Sequence, residues 1–341
     1  MASSDPNKLM AKADKLTKLS LTRWSADWKS ATQLYEQAAI GYRVAKNHEK
    51  AKIAFEKASK GQEMLSSPWD AAKHMESAAA LAKEVGNWTE VADFYKRASE
   101  LYMVCGRPQP ASDALAKGGR ALEDAVPDEA IQLYTDACSI LEEDDKEQMA
   151  FDLYRAATCV YIKLEKYTDA ATFLLRWGLA ADKCSATNSQ CKAYLSAIIV
   201  YLYAHDFKQA EKCYNDCSQL LRIGGSDLHY LFRGSGGGAK FVGHQDVVLW
   251  WVDSQLFLGK TGLRIDVFLR NDHGRCASKL LSAYSEGDIE EIKRLGQSST
   301  ISNLDHVIIR LARKLPTGEV SALKTVAAEE QEEPLDENDL T

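Results

Sequence analysis

The sequence predicts an all-α protein: a solenoid of antiparallel helical hairpins over residues 1–219 and, after an interruption at 220–265, a C-terminal helical bundle over 266–325. Three observations predict it. A small–large–small phrase recurs at a nearly fixed interval from Ala31 to Cys217. Residues that end and restart helices fall between its recurrences. The phrase then fails after Gln219, where the composition changes abruptly.

The phrase reads Ala31-Tyr35-Ala38, Ala51-Phe55-Ala58, Ala71-Met75-Ala78, Val91-Tyr95-Ala98, Ala111-Leu115-Gly118, Ala130-Tyr134-Ala137 and Ala150-Tyr154-Ala157. Ala170 and Leu174 continue it with Trp177 in third place, and Ala210-Tyr214-Cys217 closes it. Its anchors stand 20 residues apart, with one 19-residue step and one irregular gap between 170 and 210. Offsets of four and seven put all three residues on one helix face. The small members let two helices approach closely while the large one fills the groove between them. A unit of this length is a helix of roughly 14–16 residues plus a short turn. Successive helices must then run antiparallel, and stacked hairpins bury their faces only against one another.

Asp5-Pro6 starts a first helix, an N-cap followed by proline at the first helical position, with Leu9, Ala13, Leu16 and Leu19 on one side. The loop from Ser20 to Asp27 carries Leu21 and Trp24 beside Arg23. Trp24 either folds back on the first helices or, with its neighbouring cation, suits a bilayer interface. Ser67-Pro68-Trp69, Gly86-Asn87-Trp88, Gly106-Arg107-Pro108 and Val126-Pro127-Asp128 are the predicted turns. Leu220 to Ile265 holds a glycine cluster (Gly234, Gly236, Gly237, Gly238) and the apolar run Val247 to Val252. Helical phrasing resumes at Asp266 and ends at Pro316-Thr317-Gly318, before a polar tail at 326–341.

In 341 residues with 45% hydrophobic content there is ample material for a core. The first ten residues show no basic–apolar targeting signal. The longest uncharged apolar run, Ala193 to His205, has 13 residues and is too short to span a bilayer. Most of the eight cysteines fall inside helical patterns, as small buried apolar residues do, and none has the spacing of a zinc site. The net charge of −7 resides in the tail: Glu329 to Thr341 carries seven acids and no base, and the remaining 42 acids balance the 42 bases. Such an end reads as an interaction tail or a solvating one.

No catalytic constellation is visible. Gly259-Lys260-Thr261 approaches the end of a phosphate-binding loop, but position 254 is Ser254 where the motif needs glycine, and Gln255-Leu256-Phe257-Leu258 is too bulky to wrap a phosphate. No HExxH or GxSxG occurs, and the seven histidines are scattered. The repeats carry no basic stripe with interleaved aromatics, so nucleic acid is not an expected partner. No enzyme, cofactor or metal is predicted.

The Ala-x-x-x-aromatic-x-x-Ala phrase resembles the second helix of a tetratricopeptide (TPR) repeat, making this a TPR-like α-solenoid. Met1 to Arg23, Ser66-Ser67-Pro68-Trp69-Asp70-Ala71-Ala72-Lys73, Ala121 to Tyr134 and Ile301-Ser302-Asn303-Leu304-Asp305 are similar to the soluble NSF attachment proteins, in their gamma, plant type. The ending Asp336-Glu337-Asn338-Asp339-Leu340-Thr341 looks like that of the alpha type. The resemblance implies a non-enzymatic adaptor. Its concave face would lie along a SNARE four-helix bundle of syntaxin type, and its C-terminal end would recruit and stimulate the hexameric ATPase NSF. It further implies a cytoplasmic protein, peripheral on secretory-pathway membranes such as Golgi, vesicles and vacuole.

Carried over position by position, Leu340 matches the penultimate leucine of the family, and Asp336, Glu337 and Asp339 its acidic neighbours, as the NSF-stimulating end. Leu21 and Trp24 occupy the place of a membrane-contact motif, without the phenylalanine pair of the alpha type. Lys117, Arg120, Arg155, Lys163 and Lys166 are the SNARE-binding candidates by their place in the middle repeats; a charged residue on a solenoid is otherwise simply solvated. The segment 220–265 has no counterpart in the family. It reads as extra coding sequence, from a retained intron or a misassigned exon, or else as a genuine loop between solenoid and bundle. A generic tetratricopeptide scaffold, such as a chaperone adaptor gripping acidic peptide ends, is the rival reading. It would need Lys, Arg and Asn clustered in one short groove.

Overall fold

The computed structural model describes residues 5–18, 25–219 and 265–316, apart from the side chains of 217–219 and 265–267. The interrupted segment and the acidic tail therefore lie outside the described residues. The fold is helical, and its contacts divide the chain into two units, residues 1–160 and 161–341. The division falls within a helix of the solenoid, so the last repeats group with the C-terminal bundle.

In the first unit, α1 (Pro6–Thr17), α2 (Trp28–Val44), α3 (His48–Met64), α4 (Pro68–Val85), α5 (Trp88–Val104), α6 (Pro108–Leu122) and α7 (Pro127–Glu143) each pack on the next. The short turns between α2 and α7 make consecutive helices antiparallel. A 3-10 turn, η1 (Glu147–Ala150), leads into α8 (Phe151–Lys163), which crosses the division. Starts follow the expected chemistry. Asp5 accepts from the Asn7 N–H at 3.0 Å, and Asn47 and Asn87 cap α3 and α5. Pro68, Pro108 and Pro127 occupy first helical positions, where a missing N–H costs nothing.

Helix ends repeat as regularly as the core. Lys46, Ser66, Gly86, Gly106, Asp145, Glu165, Ser185 and His205 all take positive φ, between 54° and 81°. Each closes a pair of bonds of the kind seen after α2, where the Lys46 N–H donates to the Arg43 carbonyl at 3.0 Å and the Asn47 N–H to the Tyr42 carbonyl at 2.9 Å. The next residue is the N-cap of the following helix or turn, and in α3 to α7 the residue four further on is the core anchor: the Ala51 N–H donates to Asn47 O at 3.0 Å. Between α6 and α7 there is no left-handed residue; the Val126 N–H closes directly on Leu122 O at 2.8 Å. Helix α6 has 15 residues where α3 and α5 have 17, and its turn of four residues restores only one of the two, which is the origin of the 19-residue step.

The anchors Ala31, Ala51, Ala71, Val91, Ala111, Ala130, Ala150, Ala170 and Ala210 are all fully buried. The irregular gap disappears in the second unit. There α10 (Thr187–Tyr203) lies between α9 (Tyr167–Lys183) and α11 (Phe207–Gln219), and Gln190, Tyr194 and Ala197 are buried at the missing beat. Gln190 hides the phrase because a polar residue fills the anchor place. The helix is apolar around most of its circumference because neighbours surround it: α9 and α11, then α12 (Ile265–Arg270), α13 (Asp272–Glu286) and α16 (His306–Ala312). The short α14 (Ile289–Gly296) and α15 (Ser299–Ser302) complete the bundle against α13. Phe268 enters this core, edge-on to Tyr194 at 5.6 Å between ring centroids.

Candidate partner-binding site

The burial pattern fixes which positions of a repeat can meet a partner. With the anchor, anchor+4 and anchor+7 facing inward, positions five and six after the anchor emerge at the edge of the exposed face. In the first unit these positions are often charged. On the layer formed by α2, α4 and α6 they are Glu36, Glu76 and Lys117; on the α3–α5–α7 layer they include Lys96 and Arg97.

Most cations at these positions are already engaged. Arg97 pairs with Glu63 and Glu100, both at 2.8 Å, and Lys96 with Glu129 at 2.5 Å. Lys57 reaches Asp14 at 2.7 Å. Lys52 is buried between Glu49 and Glu90; burial draws its pKa down, but the two carboxylates outweigh it and hold the ammonium above its usual range. On the other layer, His74 Nε2 meets Glu36 at 3.0 Å. Apart from Arg97–Glu100 and Lys52–Glu49, which lie within one helix, these pairs cross between repeats and tie the stack together.

Among the predicted residues, Lys117 and Arg120 come together on α6, three positions apart and both exposed. They are not equivalent. Lys117 Nζ donates to both Glu76 carboxylate oxygens, at 2.9 and 3.0 Å, so α4 neutralises it. Arg120 makes no ion pair among the described residues. Its charge is felt at Tyr95, whose phenol is pushed up by burial and by Glu76 and pulled back by Arg120. Arg155 on α8 is exposed and meets Asp152 at 3.2 Å. Lys163 ends α8 and Lys166 is the N-cap of α9; both are exposed and belong to the second unit. Leu21, Trp24, Asp336, Glu337, Asp339 and Leu340 lie outside the described residues.

Sequence reasoning passed over Glu36 and His74, which pair with each other, and Glu76, which neutralises Lys117 of α6. The signal was available, since all three occupy positions three or five after an anchor. Among the described residues, no group of His, Cys, Asp and Glu could hold a metal ion, and no helix is long and apolar enough to cross a membrane.

Comparison with known proteins follows the same outline. A model of the family described as soluble NSF attachment protein, SNAP, matches residues 4–222, from the start of α1 to just past α11. A gamma-soluble NSF attachment protein of Arabidopsis thaliana is 62% identical over 339 residues, covering 99% of this chain and 100% of that relative. One of Dictyostelium discoideum is 26% identical over 317 residues, 93% of this chain and 84% of the relative. A stack of helical hairpins with its core phrase intact, matched end to end by such a relative, belongs to the soluble NSF attachment protein family, in its gamma type.

Proposed function

We propose that this chain is a non-enzymatic adaptor that attaches NSF to SNARE complexes and promotes their disassembly in vesicle transport. The observation that carries the reading is the match over the full length of a gamma-type attachment protein, joined to a stack of helical hairpins that offers faces of charged side chains. SNARE bundles of syntaxin type are the partner, met through Arg120 first, and through Lys117, Arg155, Lys163 and Lys166. Arg120 leads because its charge is uncompensated, and an exposed unpaired guanidinium steers an acidic partner best. The acidic end with Leu340, Asp339, Glu337 and Asp336 stimulates the ATPase. Leu21 and Trp24 give a peripheral contact with the cytosolic face of secretory-pathway membranes.

The test is NSF ATPase activity and SNARE-complex disassembly with the purified full chain. Stimulation by the intact protein, lost on removal of Leu340 and Thr341 while SNARE binding persists, is the expected result. Arg120→Glu is expected to weaken SNARE binding by about 3- to 10-fold at low salt, an effect that shrinks as ionic strength rises, with thermal stability unchanged. Absence of stimulation by the intact chain would sink the adaptor reading. Unaltered SNARE binding by Arg120→Glu would remove α6 from the interface.

A further inference from the structure

We propose that the groove bounded by the α3/α4, α5/α6 and α7/η1 turns binds an acidic peptide segment carrying an apolar side chain, presented by a partner protein. Alternation of helix direction places these three turns on one edge of the first unit. The groove there has a volume of about 740 Å³ and is lined by Trp69, the run from Cys105 to Pro110, and Lys146. The adaptor reading assigns nothing to this edge.

Charge complementarity selects the occupant's sign. Arg107 and Lys146 line the groove and no carboxylate does. Arg107 is exposed and makes no ion pair among the described residues. Lys146 shares its charge with Asp144 at 2.6 Å, and Asp70, near Trp69, is held by Lys73 at 3.6 Å. The first turn of α6 also opens here with no side-chain cap; Pro108 and Pro110 carry no N–H, and the Gln109 N–H is the main-chain donor left for an anion. A carboxylate beside Arg107 would meet both.

The walls select an apolar anchor next to that carboxylate. Trp69 is 38% exposed, an unusual state for so large a side chain, and Pro108 and Pro110 continue its surface. Met64, Leu65, Met103 and Val104, where α3 and α5 run into these turns, are exposed as well. The indole is fixed in place. It stands edge-on to Tyr102 at 4.9 Å between centroids, and Lys73 Nζ lies 5.2 Å from its ring centre. A pinned ring forming one wall of a concavity suits a peptide side chain better than a bilayer, which a projecting, free tryptophan would enter.

The probe is a fluorescein-labelled peptide, Glu-Asp-Glu-Leu-Asp-Glu-Leu-Asp, titrated against the full chain by fluorescence anisotropy. Its counterpart with both leucines replaced by serine serves as the charge control. Saturable binding is expected, weakened at least 10-fold by Arg107→Glu and by the serine peptide, and unaffected by Lys83→Glu, which removes an exposed cation at the opposite edge. Trp69→Ala gives the same loss; should that variant melt early, Arg107→Glu, whose side chain is exposed and makes no ion pair among the described residues, decides alone. No saturable binding, or equal weakening by Arg107→Glu and Lys83→Glu, overturns the proposal. So does binding that appears only after truncation at residue 328, which would make the chain's own acidic end the occupant. Co-sedimentation with phosphatidylcholine–phosphatidylserine vesicles that depends on Trp69, without peptide binding, would assign the edge to lipid instead.

Discussion

At Gly178 in α9, an added Cβ would stand 2.3 Å from Cε1 and 2.8 Å from Cδ1 of Tyr194 in α10. Neither helix backbone can absorb that, because Tyr194 is itself held edge-on by Phe268. Gly178→Ala is therefore expected to cost about 1–3 kcal/mol, read as a lower denaturation midpoint at unchanged slope. An unaltered midpoint would mean that the α9–α10 contact is looser than drawn. A second residue-scale test concerns His273, buried near the start of α13, with Nδ1 2.8 Å from Asn271 Oδ1 and Nε2 without a partner among the described groups. Burial first, and then the Lys192 charge from α10, hold its pKa below the ordinary value; Asp272 opposes them weakly. The folded protein thus binds fewer protons here than the unfolded chain once pH falls below about 6.5. Stability should decline as pH drops from there toward the depressed folded pKa. His273→Asn, which keeps a donor for Asn271, should flatten that part of the thermal-stability profile; an identical profile would relieve His273 of the role. Neither residue stood out in the sequence. A glycine one place beyond the repeated phrase and a lone histidine acquire meaning only when α10 packs against them.

The helices show a different division between what could be read and what could not. Proline at first helical positions and asparagine caps marked the starts of α3 to α7, because those residue types solve a local backbone problem. The ends were opaque. Six of the eight left-handed positions in the solenoid turns hold Lys, Ser, Asp, Glu or His rather than glycine. Two main-chain bonds close each turn and offset the strain, so selection for glycine is weak. That strain is still present. Lys46→Gly and Glu165→Gly should each stabilise the protein by about 0.5–1 kcal/mol, the relief of left-handed strain less the added freedom of the unfolded chain. In the opposite sense, Gly86→Ala should cost about 1 kcal/mol from the backbone alone, since its Cβ would meet nothing within 4 Å. Chemical denaturation of the three variants measures both signs at once. Destabilisation by Lys46→Gly would show that its side chain, not its backbone, secures the turn.

Across the whole molecule, the repeat made the core legible and left the partner-binding face half-read. Ladder phase shows that Lys117 and Arg120 are exposed, but not that Glu76, 41 residues earlier, silences one of them. That pairing depends on how α4 and α6 come side by side, which no local pattern encodes. The same phase set 220–265 apart, and the helices flanking that segment allow a direct test of its importance. Tyr214 in α11 and Phe268 in α12 approach to 6.4 Å between ring centroids. Gln219 lies five residues beyond the first and Ile265 three before the second. With about 6 Å from each ring to its own backbone, and at the helical rise per residue, the two chain ends are therefore no more than about 30 Å apart, whatever their directions. About ten residues of Gly-Ser linker span such a gap when extended. Replacing residues 220–264 by that linker should leave a single cooperative thermal transition and full stimulation of NSF. It should also lower light scattering on heating, because Val247 to Leu258 is the chain's most aggregation-prone run by composition. Loss of cooperativity would make the segment part of the fold of the second unit. Loss of stimulation with folding intact would give it a part in engaging NSF, and either outcome would replace the reading of an insertion with that of a working element.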